Sequence, residues 1–146
     1  MADTLDQVVM GFDFGMARTG VAVGQRLTAT ATALTVLDTP FRKGWEPLLA
    51  LLEEWAPAEL VVGYPRQMDG SDSEVAQAAT RFANRLAERS GLPVHRVDER
   101  LTSKAAEAQF RQLRRKGAAR KHQAGKLDAH AARLILETWL TSSPQP

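Results

Sequence analysis

The chain of 146 residues contains no cysteine, which excludes a disulfide framework, a thiolate zinc site and a cysteine nucleophile at once. Histidine is scarce, with three in the whole chain, and none has metal-ligand spacing with another. His95, His122 and His130 therefore read as packing or surface residues. A metal site would have to be built from carboxylates, which suit hard cations such as Mg²⁺ or Mn²⁺. Long hydrophobic runs are missing as well: no segment approaches the roughly 18 apolar residues of a membrane span, and the acidic start Met1–Asp6 lacks the core of a signal peptide. The expectation is a soluble, cytoplasmic protein with no membrane partner. Apolar residues at 44% and charged residues at 25% are ordinary globular usage and argue against a disordered chain. The length suits one domain spanning 1–146, with one core and a disordered tail from about 142.

The formal charge of +2 conceals an uneven distribution. Between Arg100 and Lys126 lie nine basic residues and one acid, so this stretch carries +8 and the remainder −6. Arg100, Arg114, Arg115, Lys116, Arg120, Lys121 and Lys126 are its main members. A basic block on an acidic domain suggests a polyanionic partner. Taken alone, it is equally compatible with a solvated helix face.

Local patterning predicts the elements. Gln7–Phe14, Thr19–Gln25 and Thr28–Val36 read as strands of a meander, joined by short links containing Gly15 and Gly20 and then Gln25-Arg26-Leu27. Trp45, Leu48, Leu49, Leu52 and Trp55 recur at helical intervals, with Pro47 in the first turn and Pro57 as the stop. Leu60-Val61-Val62-Gly63 reads as a strand buried on both faces. Ser71 and Glu74 have capping-box spacing before the stripe Val75, Ala79, Phe82 and Leu86, which Gly91-Leu92-Pro93 ends. Val94–Val97 is a fifth strand. Helices are expected at about Ser103–Lys116 and Leu127–Leu140, separated by a basic link containing glycine. The three tryptophans, Trp45, Trp55 and Trp139, have core spacing. The resulting order β-β-β-α-β-α-β-α, with an extra helical or irregular basic segment before the last helix, is an α/β class: one five-stranded mixed sheet with helices on both faces, the order of the ribonuclease H-like fold.

Three acidic positions stand out. Asp13 lies inside an apolar strand between Phe12 and Phe14, where a carboxylate is costly unless it is hydrogen-bonded or holds a cation. Asp98-Glu99 directly follows the fifth strand, where consecutive side chains project to opposite sides of the sheet. Asp128 shares a helical stripe with Ala132 and Ile135. Each has a plain structural alternative as a turn, cap or helix-dipole acid. Together they fit phosphodiester hydrolysis, in which clustered carboxylates bind two cations that activate water and stabilise the leaving oxygen. The basic stretch falls between the second and third acids, where it would hold phosphates.

These residues resemble the YqgF family, a RuvC-like branch of the ribonuclease H-like superfamily whose members are described as pre-16S rRNA nucleases or Holliday-junction resolvase homologues. The resemblance covers about residues 8–140. It rests on Phe12-Asp13-Phe14-Gly15 with Arg18 and Gly20-Val21-Ala22-Val23-Gly24, and on Val61-Val62-Gly63 with Pro65 and Met68-Asp69-Gly70. It continues through Asp98-Glu99-Arg100-Leu101-Thr102 to Asp128, Ala131, Ala132, Ile135 and Leu136. Tyr64 stands where Leu is more usual, and Gln67 where Asn is. The resemblance implies Asp13, an acid of the Asp98-Glu99 pair and Asp128 as catalytic carboxylates and metal ligands. RuvC-type enzymes carry a glutamate on the fourth strand, where this chain has Val61-Val62-Gly63. The second acid must then come from the fifth strand; Glu99, with the longer reach, is preferred to Asp98. Arg18 and the basic stretch would contact nucleic acid. The function implied is metal-dependent nuclease action, in 5′-end maturation of pre-16S rRNA or on branched or single-stranded DNA. Junction resolution would need a homodimer, for which the sequence marks no interface. The other readings are a non-catalytic RNA-binding assembly factor and a nucleotide-binding relative of the actin and sugar-kinase fold.

Overall fold

The structure, a computed structural model, describes residues 7–40, 44–64, 74–98 and 121–142; the side chains of residues 64, 98, 121–128 and 142 fall outside that description. Five strands form one sheet: β1 (Val8–Asp13), β2 (Arg18–Gln25), β3 (Thr30–Asp38), β4 (Glu59–Tyr64) and β5 (Val94–Asp98). Their spatial order is β3-β2-β1-β4-β5. The first three form the expected antiparallel meander, and β4 and β5 add in parallel beside β1. The mixed sheet thus agrees with the sequence pattern, and the first strand lies at its centre.

Three helices lie among the described residues: α1 (Glu46–Trp55), α2 (Glu74–Ser90) and α3 (Lys121–Ser142). Pro47 occupies the first turn of α1, and Ala56 ends it in a left-handed conformation, donating its N–H to the Leu52 carbonyl at 2.8 Å. Most boundaries fall within one or two residues of the sequence expectation, and two starts differ for a visible reason. Strand β3 begins at Thr30 rather than Thr28, because residues 26–29 make a turn that Ala29 closes at φ 53°. Helix α3 begins at Lys121, so residues 121–126, expected in a link, are helical despite Gly125. The expected helix at Ser103–Lys116, the Ser71 cap and the tail beyond 142 lie outside the described residues.

Strand alternation divides the core into two layers. On one face Met10, Phe12, Val21, Leu60 and Val62 pack with Leu48 and Leu52 of α1 and with Ala78, Ala79, Phe82, Ala83 and Leu86 of α2. Phe82 is the hub of this layer, edge-on to Phe12 at 6.0 Å and stacked with Trp45 at 5.5 Å. On the other face Val9, Ala22, Val61 and Val97 meet Ala132, Ile135, Leu136 and Leu140 of α3. Helices therefore cover both faces, as expected. No helix among the described residues is long and apolar enough to cross a membrane.

Helix α3 sits close because the sheet presents glycines to it. A Cβ on Gly11 would lie 2.9 Å from the Leu136 Cβ, and one on Gly63 would lie 2.5 Å from the Ile135 Cδ1. One on Gly24 would approach Leu140 Cδ1 at 3.1 Å. These contacts also give the direction of the helix. Gly24 pairs with Val9 at the start of β1 and meets Leu140, whereas Gly11 lies between Leu136 and Ala132. Helix α3 thus runs antiparallel to β1, and its N-terminal turns pass the C-terminal end of that strand.

Candidate active site at the carboxyl ends of the central strands

Because β1, β4 and β5 are parallel, their C-terminal ends share one edge of the sheet. Asp13 ends β1 there and Asp98 ends β5. Asp13 pairs with Gly63, and Asp98 with the next residue, Tyr64. The two acids are therefore two strands apart, about 10 Å across the sheet at strand spacing. Alternation from Val9 and Gly11 puts Asp13 on the face that α3 covers, where it is half-buried. Its partner across β2 is Gly20 and its partner across β4 is Gly63, so neither neighbouring strand places a side chain beside the carboxylate. On the Gly63 side, Ile135 of α3 takes the space that a β4 side chain would fill, so the helix approaches the sheet closely next to Asp13.

Asp128 lies in α3 one turn before Ala132, on the same helical stripe. Ala132 is fully buried, with its carbonyl 3.5 Å from the Cβ position of Gly11. One further turn advances the helix by about 6 Å, and Asp13 is two strand residues beyond Gly11, about 7 Å in the same direction. The backbone thus carries both acids to the same edge. Glu99, the preferred second acid, lies outside the described residues, as do Arg100, Arg114, Arg115, Lys116 and Arg120. Lys121 and Lys126 lie in the first two turns of α3. Among the described side chains, which exclude those of Asp98, Glu99 and Asp128, no three acids or histidines converge as a metal-binding group.

The turn after Asp13 is tightly built. Phe14 folds inward against Phe82 at 5.2 Å, and a Cβ on Gly15 would lie 2.5 Å from the Arg18 carbonyl oxygen. Met16, Ala17 and Arg18 form the exposed tip. Thr39, fully buried just past β3, donates its hydroxyl to the Gly15 carbonyl at 2.5 Å and its N–H to the Ala17 carbonyl at 2.9 Å. Its hydroxyl also meets that of the fully buried Thr19 at 3.0 Å. Sequence reasoning missed this pair, since threonines in a strand-rich region carry no distinguishing signal.

A second polar group lies at the opposite end of the sheet. Glu59 accepts from Arg26 Nε at 2.8 Å and from Arg26 Nη2, and its other oxygen is 3.0 Å from His95 Nε2. Trp139 of α3 covers both partners: the Arg26 guanidinium lies 4.9 Å over its ring, and His95 stacks on it at 4.9 Å. Burial pushes the Glu59 carboxyl up, but hydrogen bonds from Arg26 and His95, with their charges, outweigh it and hold the group below its ordinary range. This cluster pins α3 to the sheet, and its distance from Asp13 separates it from the acid site. His95 and Trp139 are packing residues, as the sequence suggests. Burial and then the charge of Arg133 hold His130 below the usual imidazole range, with Glu137 opposing.

The chain is 46% identical over 134 residues to a Coxiella burnetii protein named "Putative pre-16S rRNA nuclease", covering 91% of this chain and 92% of that one. A Burkholderia ambifaria protein of the same name is 46% identical over 140 residues, at 95% and 92% coverage. Among solved structures, Thermus thermophilus RuvC in complex with a Holliday junction superposes with a TM-score of 0.62 at 21% identity, covering 96% of this chain and 99% of that one. The yeast mitochondrial Holliday junction resolvase superposes at 0.52 with 12% identity, over 93% and 78%. These two likenesses establish the ribonuclease H-like fold. Over residues 7–142 the chain matches the family model described as RuvX, Holliday junction resolvase, and it belongs to the RuvX family.

Proposed function

We propose that the whole chain is one nuclease domain that hydrolyses phosphodiester bonds in RNA, acting in the cytoplasm in 5′-end maturation of pre-16S rRNA. The carrying observation is Asp13: a carboxylate at the end of the central strand, flanked by Gly20 and Gly63, at the edge past which α3 brings Asp128. The names of the RuvX relatives support the substrate.

Asp13, Glu99 and Asp128 are the proposed catalytic carboxylates and metal ligands. In an extended chain, the position in phase with Val97, which packs against α3, is 99 rather than 98. That phase favours Glu99 and leaves Asp98 as the second choice. An all-oxygen donor set of three carboxylates fits Mg²⁺ or Mn²⁺, and two such ions, when bound, would supply charge neutralisation and Lewis acidity at the phosphate. The chain's own residues orient the substrate. Arg18 offers a guanidinium from the exposed turn beside Asp13, and the basic stretch from Arg100 to Lys126 offers further phosphate contacts that fix register without reading bases.

A second reading, a junction or branched-DNA nuclease acting as a homodimer, is favoured by the description of the family and by the junction-bound RuvC that shares the fold. One panel separates the readings: purified protein with Mg²⁺ or Mn²⁺ against precursor rRNA, single-stranded DNA and a four-way junction, with Asp13→Asn as control. The expected result is cleavage of the precursor rRNA, lost by at least about 10²-fold in Asp13→Asn, with binding retained or tightened because one negative charge is gone. Cleavage by Asp13→Asn at the wild-type rate would overturn the site. Preference for the junction would replace RNA by DNA. Binding without cleavage by the wild type would point to an assembly factor.

A further inference from the structure

The buried hydroxyl pair Thr19–Thr39 is out of place in an apolar layer. Both residues are fully buried, and among the described residues they are the two buried polar ones. Burying hydroxyls gains nothing over valine for packing, so their value lies in what they bond. The proton count is determined. Thr39 has one hydroxyl hydrogen and donates it to the Gly15 carbonyl, so the hydrogen between the two threonines must come from Thr19. The chain of donors is Thr19 to Thr39 to Gly15, with the Thr39 N–H holding Ala17 alongside. Two hydrogen bonds from Thr39 thus reach the four-residue turn that separates Asp13 from Arg18, a third from Thr19 backs them, and Phe14 anchors the same turn from the core.

We propose that Thr39, backed by Thr19, is a positioning residue: it fixes the turn after Asp13, so that Arg18 meets the substrate phosphate in one geometry relative to the carboxylate. The inference rests on the nucleic-acid reading above. Thr39 touches no substrate and acts through Gly15, Ala17 and Arg18. The turn is exposed at Met16, Ala17 and Arg18, and the Thr39 hydroxyl is the side-chain donor that ties its Gly15 carbonyl to the core. A long arginine on a loose turn loses part of its contact energy to ordering.

The test measures binding in EDTA, with no cleavage step, by fluorescence anisotropy of a fluorescein-labelled oligouridine. Arg18→Ala should weaken binding by about tenfold and make the salt slope shallower by about 0.7, the signature of one lost phosphate contact on a single strand. Thr39→Val, which keeps shape and removes the hydroxyl, should reproduce most of that loss and the same slope change. The double variant should be no weaker than Arg18→Ala alone. Thr39→Ser should restore wild-type affinity. Thr19→Val, which leaves the bond to Gly15, should fall between them and decides the matter where Thr39→Val does not fold. A merely structural role would lower the active fraction while leaving the dissociation constant and salt slope of the folded protein unchanged. Additive losses in the double variant, or unchanged affinity in folded Thr39→Val or Thr19→Val, would overturn the proposal alone. Wild-type protein that binds neither oligouridine nor a labelled four-way junction would overturn the nucleic-acid reading and this inference with it.

Discussion

Seating α3 against glycines makes a quantitative prediction at Gly11. An alanine there puts its methyl 2.9 Å from the Leu136 Cβ, whereas carbon contacts relax at about 3.5–4.0 Å. The helix must therefore lift by about 0.6–1 Å over the centre of the sheet. Overpacking of this kind costs about 1–3 kcal/mol, offset by about 0.4–1 kcal/mol because alanine restricts the unfolded chain. The net loss is about 1–2 kcal/mol, which for a chain of this size lowers the melting temperature by about 3–8 °C. The atom struck is a Cβ, which every residue but glycine possesses, so Leu136→Ala cannot relieve it. Gly63→Ala differs, because its methyl strikes the Ile135 Cδ1 at 2.5 Å, with both γ carbons at 3.0 Å. Ile135→Val removes the closest atom and should recover part of the loss.

Thermal unfolding of the two double-mutant cycles checks this contrast: positive coupling for Gly63→Ala with Ile135→Val, none for Gly11→Ala with Leu136→Ala. Gly11→Ala melting with the wild type would refute the close seating of α3, and Ile135→Val without benefit to Gly63→Ala would refute the assignment of the clash. Because α3 carries Asp128, the lifted helix also moves one proposed ligand away from Asp13. Cleavage by Gly11→Ala should then fall by up to about 10²-fold, beyond any loss of folded protein.

Glu59 should give the protein a pH-dependent stability. Its native carboxyl is held below the ordinary 4.5, so the unfolded chain takes up the proton first. Its contribution is complete above about pH 4.5 and is lost as pH falls through the lower native value. Glu59→Gln should therefore be less stable near pH 7 and flatter below pH 4.5 in denaturant titrations; an unchanged acid slope would refute the assignment. Trp139→Ala removes the ring that covers Arg26 and His95 and should cost about 3 kcal/mol. A loss under about 1 kcal/mol in urea unfolding would show that the cluster does not pin α3.

The order of elements was legible because it rests on local patterning: an apolar run in β1, alternation in β2 and β3, three- and four-residue spacing in α1 and α2, and Pro47 and Pro57 as punctuation. The misplaced boundaries have local causes too. Ala29 adopts a left-handed turn with no glycine or asparagine to signal it, and Gly125 reads as a break although a helix tolerates it at about 1 kcal/mol. Asp13 stood out because a carboxylate between two phenylalanines is an anomaly at any level. Asp128 stood out through its stripe with Ala132 and Ile135.

Composition and local pattern alone specify a cysteine-free α/β chain with acids at strand ends and its positive charge gathered between two of them. Periodicity, composition and charge are local properties and survive without coordinates. The tertiary structure decided what stands beside those acids. Gly20 and Gly63 flank Asp13 only because strand register brings them there. Thr39 reaches Gly15 only because β3 returns alongside β2. Arg26 and His95 meet Trp139 only because α3 crosses the sheet on glycines. Each of these contacts joins residues distant along the chain, and register and packing, not propensity, select such pairs.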